Sequence, residues 1–386
     1  MQYADYFKAK LDALYASGRR RSLRAQDSAG GIIDSPSGRL LNFSSNDYLN
    51  LATDRRLRDA AVVALEHYGC GSTSSRLMAG ELPVHAALEQ ALAGLVEQPA
   101  ALAFPSGFQM NLAVVSALFD AEWAVYSDAL NHASLIDGCR LSDAAVHVYP
   151  HRDVGALEKL LRSLDGPKAI LTESVFSMDG DLAPMVELAR LARVHGAMLV
   201  VDEAHSIGIH GRGAGLSRQE GVLPDITLGT LGKSLGSGGG FVATSEVIRD
   251  VLINIARPFI FSTGISPANA EAARCAVEIV SASPDLGSEL LKRAAYLRQL
   301  LNDAGLGVPT DPSPIIPIVV GENAQAVRLS SALRKRNILA VAIRPPTVPV
   351  GTARLRLSLT LSHTNADVET VADVIVANMA VPAKTD

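Results

Sequence analysis

Two short segments carry side chains whose types and places are hard to explain as packing alone. Asp202, in Asp202-Glu203-Ala204-His205, follows the apolar run Ala197–Val201, and Lys233, in Thr230-Leu231-Gly232-Lys233-Ser234, follows the run Asp225–Leu228. A lysine taken out of water at such a place must be neutralised, paired or consumed in a covalent bond. A carboxylate at one strand end and an amine at the next suit pyridoxal 5'-phosphate (PLP). Its aldehyde takes a lysine as a Schiff base, and its ring nitrogen needs an acidic partner.

Two other chemistries compete for the same residues. Asp-Glu-Ala-His is also a nucleotide-hydrolysis box, but that reading needs a phosphate loop, and Thr227 stands where the first glycine of G-x-x-x-x-G-K-[ST] must be. The near-match also lies C-terminal to the acidic box, the reverse of the required order. Gly232-Lys233-Ser234-Leu235-Gly236 fits G-x-S-x-G, the hydrolase elbow, yet Ser-Gly-Gly-Gly follows where a helix is required. The sole histidine beyond Ser234 is His363. The elbow's catalytic triad would hang on that residue.

Further polar groups gather on loops between apolar runs. Phe104-Pro105-Ser106-Gly107-Phe108 turns into a helical pattern running to Ala117, and a helix start offers backbone N–H donors to a phosphate. His132 follows a strand and begins a helix, which places a flat imidazole where it could stack on a ring. Glu173-Ser174-Val175-Phe176-Ser177-Met178-Asp179-Gly180-Asp181 ends the strand Lys168–Thr172. Late in the chain Ile343–Pro349 is too proline-rich for a regular element and reads as a fixed loop. It leads into Arg354-Leu355-Arg356, where alternation puts both arginines on one face, either solvated or forking a carboxylate.

The elements that must position these groups alternate. Ala101–Phe104, Ala124–Tyr126, Val146–Val148, Lys168–Thr172, Met198–Val201 and Ile226–Leu228 read as short strands with helical patterns between most of them. That pattern predicts an α/β fold with a mainly parallel sheet. Residues 1 to about 25 read as an amphipathic helix ending at Arg19-Arg20-Arg21, within an N-terminal arm of residues 1–45. A large domain is expected over 46–284. A smaller α+β domain is expected over 285–386, from Glu289–Leu301, Ile315–Val319, Ala324–Arg336, Leu339–Ala342, Arg354–Leu359 and Ala366–Ala380.

Composition bounds the class. A chain of 386 residues with 48% hydrophobic content can bury a large core, and a net charge of −5 lacks the basic excess that nucleic acid or an anionic membrane would favour. Cys70, Cys139 and Cys275 show no metal or disulfide spacing and are expected as buried thiols. With no apolar leader and no run approaching the ~18 residues of a membrane span, a cytoplasmic enzyme is expected, with no nucleic-acid or membrane partner and no metal.

The chain resembles the α-oxoamine synthases, PLP-dependent enzymes of the aminotransferase-like fold (fold type I), along nearly its whole length. The motifs that carry the likeness are Asn42–Leu49, Gly71–Arg76, Ser106–Phe108, Asn131–Ser134, Glu173–Gly180, Val201–His205, Thr230–Lys233 and Gly351–Arg356. One departure is Thr73-Ser74-Ser75, where relatives often have a glycine before the Ser-Arg pair.

The resemblance implies roles residue by residue. Lys233 would hold the cofactor as a Schiff base and move protons at the substrate α-carbon. Asp202 would pair with the ring nitrogen, His132 would stack on the ring, and His205 would bond the ring oxygen with Ser177 nearby. Phosphate would sit on the Gly107 and Phe108 amides, with Thr230 and, from a second subunit, Thr263 supplying hydroxyls. Arg356 would clamp the amino-acid carboxylate, with Asn46 and Glu173 supporting the reacting centre. Arg21 and Thr347 would face an acyl thioester.

The Ile343–Pro349 loop is most similar to that of members condensing L-alanine with a pimeloyl thioester, carried by coenzyme A or by an acyl carrier protein. The resemblance also implies a homodimer with shared active sites. Glycine-using and serine-using members of the family are the nearer alternatives, and a non-catalytic binding module is the more distant one.

Overall fold

The computed structural model describes residues 3–23, 25–26, 30–35, 38–163 and 165–379. Its strands, in chain order, are β1 (Ile32–Ser35), β2 (Gly38–Asn42), β3 (Ala100–Phe104), β4 (Ala124–Asp128), β5 (Ala145–Tyr149), β6 (Lys168–Glu173), β7 (Ala197–Asp202), β8 (Ile226–Thr230), β9 (Gly240–Thr244), β10 (Ile315–Gly321), β11 (Ile338–Leu339), β12 (Ala342–Ile343) and β13 (Ala353–Ser358).

Seven of these form one sheet in the order β3-β9-β8-β7-β6-β4-β5. The β8-β7-β6-β4-β5 pairings are parallel, and β9 runs antiparallel to both its neighbours. The expected mainly parallel sheet is present. Its strands read as unbroken apolar runs because both faces are covered: in β7, Leu199 and Val201 join one buried cluster while Val200, pointing the other way, joins the second.

β9 was not foreseen, because Gly238-Gly239-Gly240 reads as a turn and conceals the strand that begins inside it. Gly240 pairs with both Thr230 and Phe104.

Two three-stranded sheets stand apart from the large one. In the order β10-β13-β12, β13 is the buried central strand, with Pro317 opposite Arg356 and Val319 opposite Arg354. In the order β1-β2-β11, Ile338 and Leu339 pair in parallel with Leu41 and Asn42, so β1 and β2 are tied to the C-terminal part of the chain. The strand expected over Leu339–Ala342 therefore divides between two sheets, as β11 and β12.

The first helix is shorter than expected. It spans Tyr3–Ala16, ends before the Arg19–Arg21 cluster, and buries no residue. The last helix spans Asn365–Met379; Ala380, where the sequence pattern placed its end, lies outside the described residues. Of the cysteines only Cys139 is buried, Cys70 being exposed and Cys275 intermediate. Cys70 was expected inside, but it lies just past the glycine that ends the helix Arg55–Tyr68. No helix among the described residues is long and apolar enough to cross a membrane.

Candidate active site

The carboxyl ends of β6, β7 and β8 meet at one edge of the large sheet, with Glu173 opposite Asp202 and Asp202 opposite Leu228. Open α/β sheets hold their ligands at this edge. A cavity of about 160 Å³ opens there, lined by Gly107, Phe108, Asn111, His132, Glu173, Asp202, His205, Thr230 and Lys233 among others. Groups from five separate loops thus reach one space.

Lys233 is held by a turn rather than a helix. Leu231 N–H donates to the Gly239 carbonyl at 3.0 Å, Gly236 N–H to the Lys233 carbonyl at 2.9 Å, and Gly239 takes a φ of +131° that only glycine adopts without strain. The segment after Ser234 is not helical, which removes the hydrolase elbow. Lys233 Nζ lies 2.8 Å from His205 Nε2. Burial drives the Lys233 pKa down to about 8, with Asp202 pulling it back up. Burial, with Lys233 and Arg356 nearby, also holds His205 well below its ordinary value, so its ring is neutral.

Asp202 is fixed from two sides. Ala204 N–H donates to Oδ1 at 2.9 Å and Asn111 Nδ2 to Oδ2 at 2.8 Å. Asn111 and His132 both bond the Ser134 hydroxyl, at 2.8 and 2.7 Å, and His132 caps the helix Ala133–Leu141 as expected. Burial lowers the His132 pKa. The neighbouring Glu173 carboxyl is pushed up to about 8 by burial and by Asp202, and its Oε1 has no partner. At neutral pH it is therefore largely protonated.

The helix Gly107–Leu118 starts at this edge, capped by Ser106, whose hydroxyl accepts from Gln109 N–H at 3.1 Å. A Cβ on Gly240 would come within 2.5 Å of the Gly107 Cα, so the helix start rests directly on β9. Thr230 adjoins it: a Cβ on Gly107 would touch the Thr230 side chain at 3.4 Å. A strand, a helix start and a hydroxyl thus adjoin at this edge, and a helix start carries the free backbone N–H donors that an anion could take. Thr263 lies elsewhere, exposed and bridged to Ser75.

The arginines of β13 are buried, which overturns a solvated strand face. Arg354 pairs with Asp179. Arg356 Nη1 reaches Asn46 Oδ1 at 3.0 Å and Ser358 Oγ at 2.6 Å, Nη2 reaches the Tyr48 hydroxyl at 3.1 Å, and Nε donates to the Ser177 carbonyl. Ser177 thus joins the site through its backbone. Arg21 Nη2 donates to Thr347 Oγ1 at 3.0 Å in an exposed position, and neither residue is among those lining the cavity. Tyr48 and Asn111 carried no expected role, although Tyr48 lies inside Asn42–Leu49 and Asn111 inside the helical pattern that runs to Ala117. A tyrosine two residues after Asn46 gives no pattern that separates a site phenol from a core one.

The aminotransferase class I and II family model matches residues 39–375. The 8-amino-7-oxononanoate synthase of Anaeromyxobacter dehalogenans is 46% identical over 370 residues, 95% of this chain and 93% of that protein. The chain belongs to the aminotransferase class I and II family, in its 8-amino-7-oxononanoate synthase branch. Among solved structures, 8-amino-7-oxononanoate synthase from Francisella tularensis superposes with a TM-score of 0.76 at 31% identity, over 88% of this chain and 97% of the other. Serine palmitoyltransferase from S. paucimobilis, solved with a bound PLP–myriocin aldimine, reaches 0.90 at 29% identity over 97% and 96%. Backbone likeness is thus greater to one relative and sequence likeness to the other. Fold is shared more widely than substrate, so the 46% identity carries more weight for the reaction than the TM-score does.

Proposed function

We propose that the protein condenses L-alanine with a pimeloyl thioester, releasing carbon dioxide and free thiol and giving 8-amino-7-oxononanoate, with PLP as cofactor. The observation that carries this reading is Lys233, lowered toward neutrality and directed into a cavity that also holds Asp202, His132 and the Gly107 helix start, in a chain 46% identical to a synthase of that name.

The residues present fit PLP. Its phosphate suits the Gly107–Phe108 backbone and the Thr230 hydroxyl; its ring nitrogen suits Asp202, which Asn111 and Ala204 hold in place. His132 would cover the ring face, and His205 would bond the ring oxygen. When bound, PLP supplies an aldehyde for amines and a pyridinium that accepts the electron pair set free at an α-carbon.

The chain's own residues do the rest. Arg356, always charged and planar, takes the alanine carboxylate and so orients the α-carbon. The carboxylate joins Asn46 and Tyr48 on the same guanidinium. Lys233, neutral in part near pH 8, takes the α-proton and later returns it. Glu173, protonated at neutral pH, keeps a second negative charge away from Asp202 and offers a proton beside the reacting centre. Arg21 and Thr347 hold the acyl donor at the rim. Thr263 would complete the phosphate site of a second copy of the chain in a homodimer.

The superposition on serine palmitoyltransferase supports one second reading, a different amino acid with a longer acyl chain. A panel of alanine, glycine and serine against pimeloyl, acetyl and palmitoyl thioesters, read by thiol release and product mass, separates the two. Failure of alanine with every pimeloyl donor overturns the proposal.

A further inference from the structure

His151 lies outside the cavity, just past the end of β5, and holds a carboxylate on each ring nitrogen. Nδ1 is 2.9 Å from Asp128 Oδ1, at the end of β4, and Nε2 is 2.7 Å from Asp181 Oδ2, in the segment after β6. Both acids need partners to stay charged, Asp128 being 2% and Asp181 13% exposed. Asp128 takes backbone N–H groups on both oxygens, from Leu130 at 2.8 Å and Arg152 at 3.0 Å. Asp181 Oδ2 also takes Arg152 Nη1 at 3.2 Å; burial would raise this acid, but His151 and Arg152 outweigh it and hold the carboxyl below its usual value. Two carboxylates can only accept, so both ring nitrogens donate and His151 is an imidazolium. Burial by itself would lower the His151 pKa, yet the two carboxylates outweigh burial and raise it to about 9.

Asp181 closes the base of a hairpin. Val175 and Leu182 bridge antiparallel, Phe176 N–H donates to the Asp181 carbonyl at 3.0 Å, and Gly180 N–H donates to the Phe176 carbonyl at 2.8 Å. The tip reaches the C-terminal part of the chain. There the Ser177 carbonyl accepts from Arg356 Nε, Asp179 pairs with Arg354, and the Gly180 carbonyl accepts from Ser313 Oγ at 2.6 Å. Base and tip thus join β4 and the turn after β5, in the large sheet, to the arginines of β13. The Arg356 guanidinium is planar, so its Nε bond to Ser177 helps to set the plane in which Nη1 and Nη2 can fork a carboxylate.

We propose that His151 is a positioning residue, pinning the base of this hairpin to the large sheet so that its tip holds Arg356 in the plane that receives a substrate carboxylate. None of Asp128, His151 and Asp181 lines the cavity, so the clamp acts through Ser177 and not on the cofactor. The charged groups that face the imidazolium are Asp128 from β4, Asp181 from the hairpin and Arg152 from its own turn, with Asp311 3.8 Å from the Arg152 guanidinium. The Phe176 ring meets it edge to face, 4.3 Å between centroids. Because the His151 pKa is raised, the clamp is whole below the ordinary value of 6.5 and is lost as pH rises through about 9.

The inference rests on the reading of Arg356 as the carboxylate site, and two measurements keep them apart. In the cofactor-free full chain, hydrogen exchange of the amides of residues 175–182 reads the hairpin directly. His151→Gln sets an amide carbonyl against one of the two acids, and at pH 7.5 it should quicken that exchange about tenfold or more. Unchanged exchange overturns the inference whatever the carboxylate site does.

In the PLP-loaded protein, calorimetry with propionate gives a carboxylate dissociation constant. His151→Gln should raise it about 5- to 20-fold at pH 7.5, while the PLP constant changes less than about threefold. The ratio of variant to wild type should then fall toward one above pH 9, where the wild type loses its own imidazolium; titration of other groups is common to both proteins and cancels. Quickened exchange with unmoved propionate affinity makes the clamp structural only, and the inference fails. A ratio that stays constant to pH 10 is equally fatal, because the effect is then not that of the imidazolium. A wild type that binds no propionate overturns the Arg356 reading together with the inference. Should His151→Gln not fold, Asp181→Asn, which keeps the shape and removes the charge, must raise the propionate constant likewise, and an unmoved constant overturns the inference.

Discussion

Lys233 Nζ and His205 Nε2 stand 2.8 Å apart in a pocket that disfavours charge on both. The ordinary lysine ammonium would pay heavily there, and its pKa falls to about 8, burial being the largest cause. A group so shifted sits where reactive amines are wanted, ready to lose its proton near working pH.

An amine attacks an aldehyde only when neutral. Ligand-free protein mixed with PLP should therefore gain visible absorbance at a rate that rises about tenfold per pH unit below 8 and levels off above it. The sign follows from the direction of the shift: Lys233 is depressed from 10.5, so the neutral form appears earlier than in free lysine. A rate still climbing steeply to pH 10 would contradict the assignment. So would the absence of a borohydride-fixed adduct on Lys233.

Gly240→Ala tests the phosphate cradle. The added methyl meets the Gly107 Cα at 2.5 Å, and because that atom is backbone, β9 or the helix start must move. Overpacking of this kind costs about 1–3 kcal/mol, and if the phosphate rests on that helix start the PLP dissociation constant should rise roughly 10- to 100-fold. Equilibrium titration of the purified variant measures it. Unchanged affinity would place the phosphate elsewhere.

Arg356→Lys keeps the positive charge and loses the fork. A lysine cannot reach Asn46, Tyr48, Ser358 and the Ser177 carbonyl at once, so the carboxylate loses a fixed planar partner. Loss of one charge-assisted bond is worth about 1.5–3 kcal/mol, and KM for alanine should rise about 10- to 100-fold. PLP loading, read from absorbance, should persist. A variant whose alanine KM is unmoved would remove Arg356 from the carboxylate site.

The sequence made the sheet-edge chemistry legible for a physical reason. Ala197–Val201 is an apolar run because both faces of β7 are covered, and such a run delivers its next residue, Asp202, to the ligand-bearing edge. The same logic brings Glu173, at the end of β6, to that edge, whereas a role for Thr230 came only from likeness to the family. That logic failed at β9, whose first residue, Gly240, serves close approach to Gly107 although it ends a glycine-rich turn, and at β11 and β12, where four residues divide between sheets. Contacts distant along the chain were also hidden. Alternation alone left Arg354 and Arg356 undecided between solvent and substrate; their partners Asp179, Asn46 and Tyr48 lie more than 170 residues away. The role of Asn111 beneath Asp202 depends on how a helix packs over the sheet, which local pattern does not encode.

Arg21→Ala examines the rim, where likeness to relatives had suggested two residues and the structure joins them. Arg21 Nη2 donates to Thr347 Oγ1 at 3.0 Å, bridging the segment after the first helix to the proline loop, and Arg344 reinforces the bridge through the Gly18 and Arg20 carbonyls. The bond is exposed, so by itself it contributes little to stability, about 0.5–1.5 kcal/mol at most. Its value would lie in holding the guanidinium where an acyl thioester passes. Arg21→Ala should raise KM for the acyl donor about 3- to 10-fold, with alanine KM and PLP loading unchanged. Thr347→Val, which removes the acceptor but leaves the arginine, should give a smaller rise in the same constant. If both variants shift alanine KM instead, the rim contact shapes the carboxylate site and not the acyl path.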